Sequence, residues 1–170
     1  MRLPRLLRDD VVFRRYWSAH TISLFGDQIS LLAIPLVAVL ALDASAAQMG
    51  YLTAAGWLPY LLISLHAGAW VDRRGRRRVT MIGADVVRAT VLVSVPIAYA
   101  ADVLTVPHLY LVALAMGMSS VVFGVADTSL FVSIVPRERY LEANSLLNGS
   151  RAFSFVAGPS VTGVLVRGRS

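Results

Sequence analysis

The sequence predicts an all-α membrane protein with about five transmembrane helices. Three observations carry the prediction: the chain of 170 residues is 56% hydrophobic and only 15% charged, its apolar residues fall in long unbroken runs, and its cations gather in short clusters between those runs. Ordinary soluble domains are near 45–50% apolar and about 25% charged. All the basic residues are arginine, the net charge is +6 and cysteine is absent, which excludes disulfide scaffolds, thiolate metal sites and cysteine nucleophiles. A groove binder of nucleic acid spreads its cations over a soluble face. Clusters set between apolar runs make the lipid bilayer the expected partner, with no nucleic acid.

The first span is read over 16–42, between Arg15 and Asp43, with Asp27 its only charge; the second, over 46–71, has none. The third, 79–101, carries Asp85 and Arg88, the fourth, 107–132, carries Asp127, and the fifth, 143–166, carries Arg151. Each exceeds or approaches the roughly 20 residues a membrane helix needs. Backbone groups in lipid must be satisfied within the segment, which makes helices of runs rich in Leu, Ala and Val. Closed barrels are disfavoured because strict alternation is missing.

Arginine placement sets the direction. Arg2, Arg5, Arg8, Arg14 and Arg15 precede span one, Arg73, Arg74, Arg76, Arg77 and Arg78 follow span two, and Arg137 and Arg139 follow span four. These segments are expected on the cytoplasmic side of an inner membrane, N-terminus included. The alternate connections, 43–48 and 101–108, hold no arginine. One misfit stands: a fifth span leaves Arg167 and Arg169 outside. Ala44-Ser45-Ala46 imitates a signal-peptidase site, but the preceding apolar run is about twice the length of a signal core. Residues 3–16 read equally as an amphipathic surface segment or as a polar lead-in. Trp17, Tyr51, Trp57, Tyr60, Trp70, Tyr99 and Tyr110 fall mostly near span ends, as interfacial aromatics do.

The sharpest local pattern joins spans two and three, from Gly68 to Arg78. The C-terminal end of a helix carries partial negative charge, so Asp72 needs a cation or another helix's N-terminus as partner. Gly75 permits a tight turn, and Gly68, one turn before Asp72, permits close helix approach. A plain stop-transfer cluster explains the arginines but not the spacing of Gly68, Asp72 and Gly75.

Within the spans, Asp27 lies about 11 residues deep, roughly 16 Å at the helical rise. An Asp at the centre of a membrane helix costs about 2.5–3.5 kcal/mol, so it is expected to face a cavity or a partner, where a proton-coupling role is open to it. The competing reading ties it to a neighbouring helix through Gln28 or a serine. Asp85 and Arg88 share a helix face and partly neutralise each other, and Arg151 is placed to snorkel or to meet Asp85 or Asp127. Ala113, Gly117, Ser120 and Gly124 on span four, and Ser150, Ser154, Gly158 and Thr162 on span five, recur at helical spacing as packing stripes. Gly158 and Pro159 also mark a candidate bend.

Nothing points to an enzyme. His20, His66 and His108 are scattered without metal-ligand spacing, Glu138 and Glu142 read as solvated helix-start charges, and the Gly75 turn lacks the Lys-Ser/Thr end of a phosphate loop. No cofactor is expected.

Gly68, Asp72, Arg73, Gly75, Arg76 and Arg77 resemble the cytoplasmic loop signature of the major facilitator superfamily, in its proper place between helices two and three. Further stretches are similar to its macrolide-efflux and enterobactin-exporter branch: Phe13 to Trp17, Ser23 to Asp27 with Pro35, Asp85 to Ala89, and Val135-Pro136 through Glu138, Leu141, Ala143-Asn144, Leu146 and Arg151. Gly158-Pro159 followed by Gly163 resembles the glycine-proline motif of exporters, departing from it at Thr162, where a second glycine is usual. The resemblance implies a secondary active transporter of efflux type, proton-coupled, whose Asp72 and neighbouring arginines latch the cytoplasmic side. A small-molecule substrate and protons are its implied partners. Members resemble two six-helix halves, so five helices read as the N-terminal part of such a fold, with the remaining transporter helices missing from the chain. The alternative is a small non-transporting multi-pass protein that acts through helix–helix association.

Overall fold

The computed structural model describes residues 5–167, and their side chains apart from those of 5, 65, 67, 69–74 and 158–167. The chain runs α1 (Arg5–Asp9), α2 (Val11–Leu42), α3 (Ala46–Arg74), α4 (Arg77–Ala100), α5 (Val106–Ile134), a 3-10 turn (Arg137–Arg139) and α6 (Tyr140–Arg167), with no strand among the described residues. The five expected spans are the five long helices. The shortest, α4, has 24 residues and so reaches about 36 Å, more than the roughly 30 Å of a bilayer's hydrocarbon core. Among the described residues α2, α4 and α5 are both long and apolar enough to cross a membrane. Large apolar side chains stand exposed along the helices, among them Ile22, Leu61 and Leu111, which is the face a membrane helix turns to lipid or to other helices.

The helix ends follow local chemistry. Asp10 Oδ1 accepts the N–H groups of Val12 and Phe13 at 2.8 and 2.9 Å, so α2 starts five residues before the apolar run that announced it. Ser45 and Gln48 form a reciprocal capping box at the start of α3, in which each side chain accepts from the other's backbone N–H. Asp43 and Asp102 take left-handed backbone conformations, φ 48° and 55°, a geometry that Asp tolerates better than most residues. Beside them Ala44 N–H donates to the Ala38 carbonyl and Val103 N–H to the Ala98 carbonyl, both at 3.0 Å, satisfying carbonyls that a helix end leaves open.

Two compact units divide the chain: residues 1–33 with 131–170, and residues 34–130. In the first, α1 and α2 are tied to α6 at three levels. Leu6 N–H donates to Glu142 Oε1 at 3.1 Å, Trp17 Nε1–H donates to the Leu146 carbonyl at 3.5 Å, and Thr21 Oγ1 donates to Ser150 Oγ at 3.0 Å. Leu6, Leu7, Phe13, Tyr16 and His20 are buried. The N-terminal segment is thus packed on one face by its leucines and Phe13, while Val11 and Val12 on the other stay exposed. Glu142, expected as a solvated charge, is half-buried and holds the α1 backbone.

In the second unit, Ile34, Ala38, Leu52, Val95, Ala98, Leu104, Leu109, Val112 and Ala113 form the apolar core. Helices α3 and α5 meet at Gly117. A Cβ added there would fall on the Gly56 carbonyl oxygen and lie 3.0 Å from Pro59 Cγ. Backbone contact this close requires glycine. At the far end Tyr110 Oη donates to the Gln48 carbonyl at 3.3 Å, and Ser94 Oγ and His108 Nε2 share a hydrogen bond of 3.0 Å between α4 and α5.

Candidate functional site

Helix α3 ends at Arg74 and α4 starts at Arg77, so their connection is only Gly75 and Arg76. Gly75 caps α3 in the left-handed region, φ 62° and ψ −6°. A side chain is strained at that φ, which is why a glycine stands there. Beyond the turn, Arg76 is exposed and Arg77 half-buried. The side chains of Asp72 and Arg73 lie outside the described residues, and with them the pairing expected of Asp72. Gly68 is half-buried, but a Cβ there would meet nothing within 4 Å. Among the described residues the close helix approach belongs to Gly117, not to Gly68.

Asp27 and Gln28 sit in the interior of α2, in the first unit, both half-buried. One turn on, the Ser30 hydroxyl donates to the Gly26 carbonyl at 2.8 Å, which spends a polar group on the helix's own backbone. Toward the N-terminus, the Thr21 to Ser150 bond sets the register of α2 on α6. Asp27 is therefore carried on a helix whose rotation is fixed from one side.

The best-defined intramembrane charge is Arg88, on α4 in the second unit and only 5% exposed. Its Nη2 donates to Ser120 Oγ at 2.9 Å and its Nη1 to Asp85 Oδ1 at 3.3 Å. The guanidinium carbon lies 4.7 Å from the centroid of the Phe123 ring. A lone Arg in a span costs about 2.5–3.5 kcal/mol. Here a carboxylate, a hydroxyl and an aromatic face offset that cost, the aromatic contact alone contributing about 0.5–2 kcal/mol. Asp127 is buried on α5, while Arg151 is exposed on α6 in the other unit. Of the four residues expected to form a charge network, Asp85 and Arg88 stand together, joined by Ser120 and Phe123.

The sequence alone names neither of those last two as an arginine partner. Ser120 was legible only as a small residue in a packing stripe, and Phe123 one turn later carries no polar signal. Their role depends on the register of α4 against α5, which helical spacing within one segment does not encode. Helix α6 is helical through Gly158, Pro159 and Gly163, whose packing lies outside the described residues. Among the described residues no three His, Asp or Glu side chains group as metal ligands. The arrangement is one of helix ends, a charged turn and carboxylates held inside membrane helices.

The family described as Major Facilitator Superfamily matches residues 16–169. The chain is 31% identical over 150 residues to the multidrug efflux pump Tap of Mycobacterium tuberculosis (strain ATCC 25618 / H37Rv), an alignment covering 83% of this chain and 34% of that protein. It is 29% identical over 147 residues to the multidrug efflux pump Tap of Mycolicibacterium fortuitum, covering 83% of this chain and 35% of that protein. The chain spans about a third of the length of these curated relatives. No solved structure matches it.

Proposed function

The chain belongs to the major facilitator superfamily, and on that premise we propose that it forms the N-terminal part of a secondary active carrier that exports a small molecule in exchange for protons. The observation that carries the reading is its 31% identity, over 83% of its length, to a multidrug efflux pump. As the chain spans about a third of such a pump, the remaining helices of the carrier lie outside it. We place the protein in the inner membrane with its N-terminus in the cytoplasm, because the arginine clusters alternate with arginine-free connections.

Alternating access needs contacts whose strength differs between two states. The turn at Gly75 and Arg76 supplies one: Asp72, with Arg73, Arg76 and Arg77, latches the cytoplasmic side and releases it as the cavity changes access. Asp27 supplies the other. A carboxylate in the interior of a membrane helix, held in fixed rotation by the α2 to α6 bonds, exchanges protons with the cavity. Gln28 beside it orders that cavity. Gly158, Pro159 and Gly163 give α6 its point of flexure.

The test is accumulation of a fluorescent lipophilic cation in efflux-deficient bacteria expressing the full-length carrier whose N-terminal part is this chain. Cells with the unmodified carrier should retain several-fold less dye than cells with its Asp27→Asn variant, and a protonophore should abolish the difference. Equal retention by both, with membrane insertion intact, sinks the carrier reading. It favours instead a non-transporting protein that works through helix association.

A further inference from the structure

We propose that the groove between the Arg76 end of α4 and the facing stretch of α5 seats one anionic phospholipid of the cytoplasmic leaflet. The inference rests on the membrane orientation given above, but its test does not involve transport. The sequence already builds half of the groove: Thr80, Gly83 and Val87 fall on one stripe of α4 at helical spacing, and Arg76 stands just before its first turn. Gly83 removes a side chain from the middle of that stripe, and a Cβ there would meet nothing within 4 Å. Across from it α5 presents Ala115 and Ser119, also small. The result is a cavity of about 850 Å³ lying wholly within residues 76–122.

Its polarity is graded. Arg76 stands at one end, and Val87, Met118 and Val122 line the walls. The Thr80 hydroxyl donates to the Arg76 carbonyl at 3.2 Å, so it adds little polarity to the floor. From Arg76 to Val87 the α4 axis covers about 16 Å, close to half of the roughly 30 Å hydrocarbon core. A cation at headgroup level and an apolar trough ending near the midplane fit the length of one leaflet. Arg76 stands in a run with Arg77 and Arg78, and a guanidinium matches a phosphate in a bidentate fork. This charge complementarity selects an anionic lipid over a zwitterionic one and over a second apolar helix.

The experiment is native mass spectrometry of the purified chain, delipidated in detergent and titrated with phosphatidylglycerol or phosphatidylcholine. An arginine near an anionic surface contributes about 1 kcal/mol, so phosphatidylglycerol should bind about fivefold more tightly, and Arg76→Gln should remove the preference. Gly83→Leu, which fills open space, should lose both lipids at unchanged helix content. Met118→Trp blocks the same groove from α5 and should do likewise. Phosphatidylglycerol binding that survives both blocking variants overturns the proposal. So does equal affinity for the two lipids, and so does a dimer that Gly83→Leu abolishes, which would put a second copy of the chain in the groove.

Discussion

Replacing Gly117 by alanine adds one methyl group at the point where α5 meets α3. The methyl would fall on the Gly56 carbonyl oxygen, with Pro59 Cγ at 3.0 Å. The first obstacle is backbone on a second helix, so no side-chain rotation relieves it and the helices must part. Forcing a methyl into a closely packed site costs about 1–3 kcal/mol. Alanine also favours the helix over glycine by about 0.8–1.0 kcal/mol, and that gain must be removed before the clash is read. Gly124→Ala supplies the correction: it lies two turns along the same helix, and a Cβ there meets nothing within 4 Å. The two variants share the propensity gain and differ only in the clash. Their stabilities should therefore differ by about 1–3 kcal/mol, roughly 5- to 150-fold in the folded ratio. Reversible unfolding in mixed micelles, followed by tryptophan fluorescence, measures the difference. Equal stability of the two variants refutes the close α3 to α5 contact.

Three further outcomes follow from contacts described above. A double-mutant cycle between Arg88→Gln and Ser120→Ala should give a coupling of about 0.6–1.7 kcal/mol in the same unfolding assay, the range for hydrogen bonds between membrane helices, whereas additive effects would deny the bond. Ser45→Ala should cost about 0.5–2 kcal/mol locally and speed hydrogen exchange at the Gln48 amide, leaving amides in the middle of α3 unchanged. Glu142→Ala should release α1, whose Leu6 N–H it holds, and make tryptic cleavage after Arg8 roughly tenfold faster, since a bond to a charged group contributes about 1.5–3 kcal/mol before solvent screening.

Hydrophobic run length and arginine position are properties of one segment read along its own axis, and the sequence settles by itself what depends on them. The five long helices stand where the apolar runs lie, and Gly75 turns the chain between α3 and α4 because a positive φ favours glycine wherever the neighbours are. Family membership was legible in the same way, through motifs contained in single segments such as Gly68 to Arg77. The tertiary structure decided what depends on how segments face one another. Gly117 and Gly124 are identical in a stripe of small residues, yet only Gly117 meets Gly56. Arg88 paired with Asp85 as one helix face requires, but Ser120 and Phe123 came to it from α5. Glu142 found the backbone of Leu6 across a separation of 136 residues. Helical periodicity tells which residues share a face, and it carries no term for the rotation and register of one helix against the next; those are set by the packing of whole surfaces.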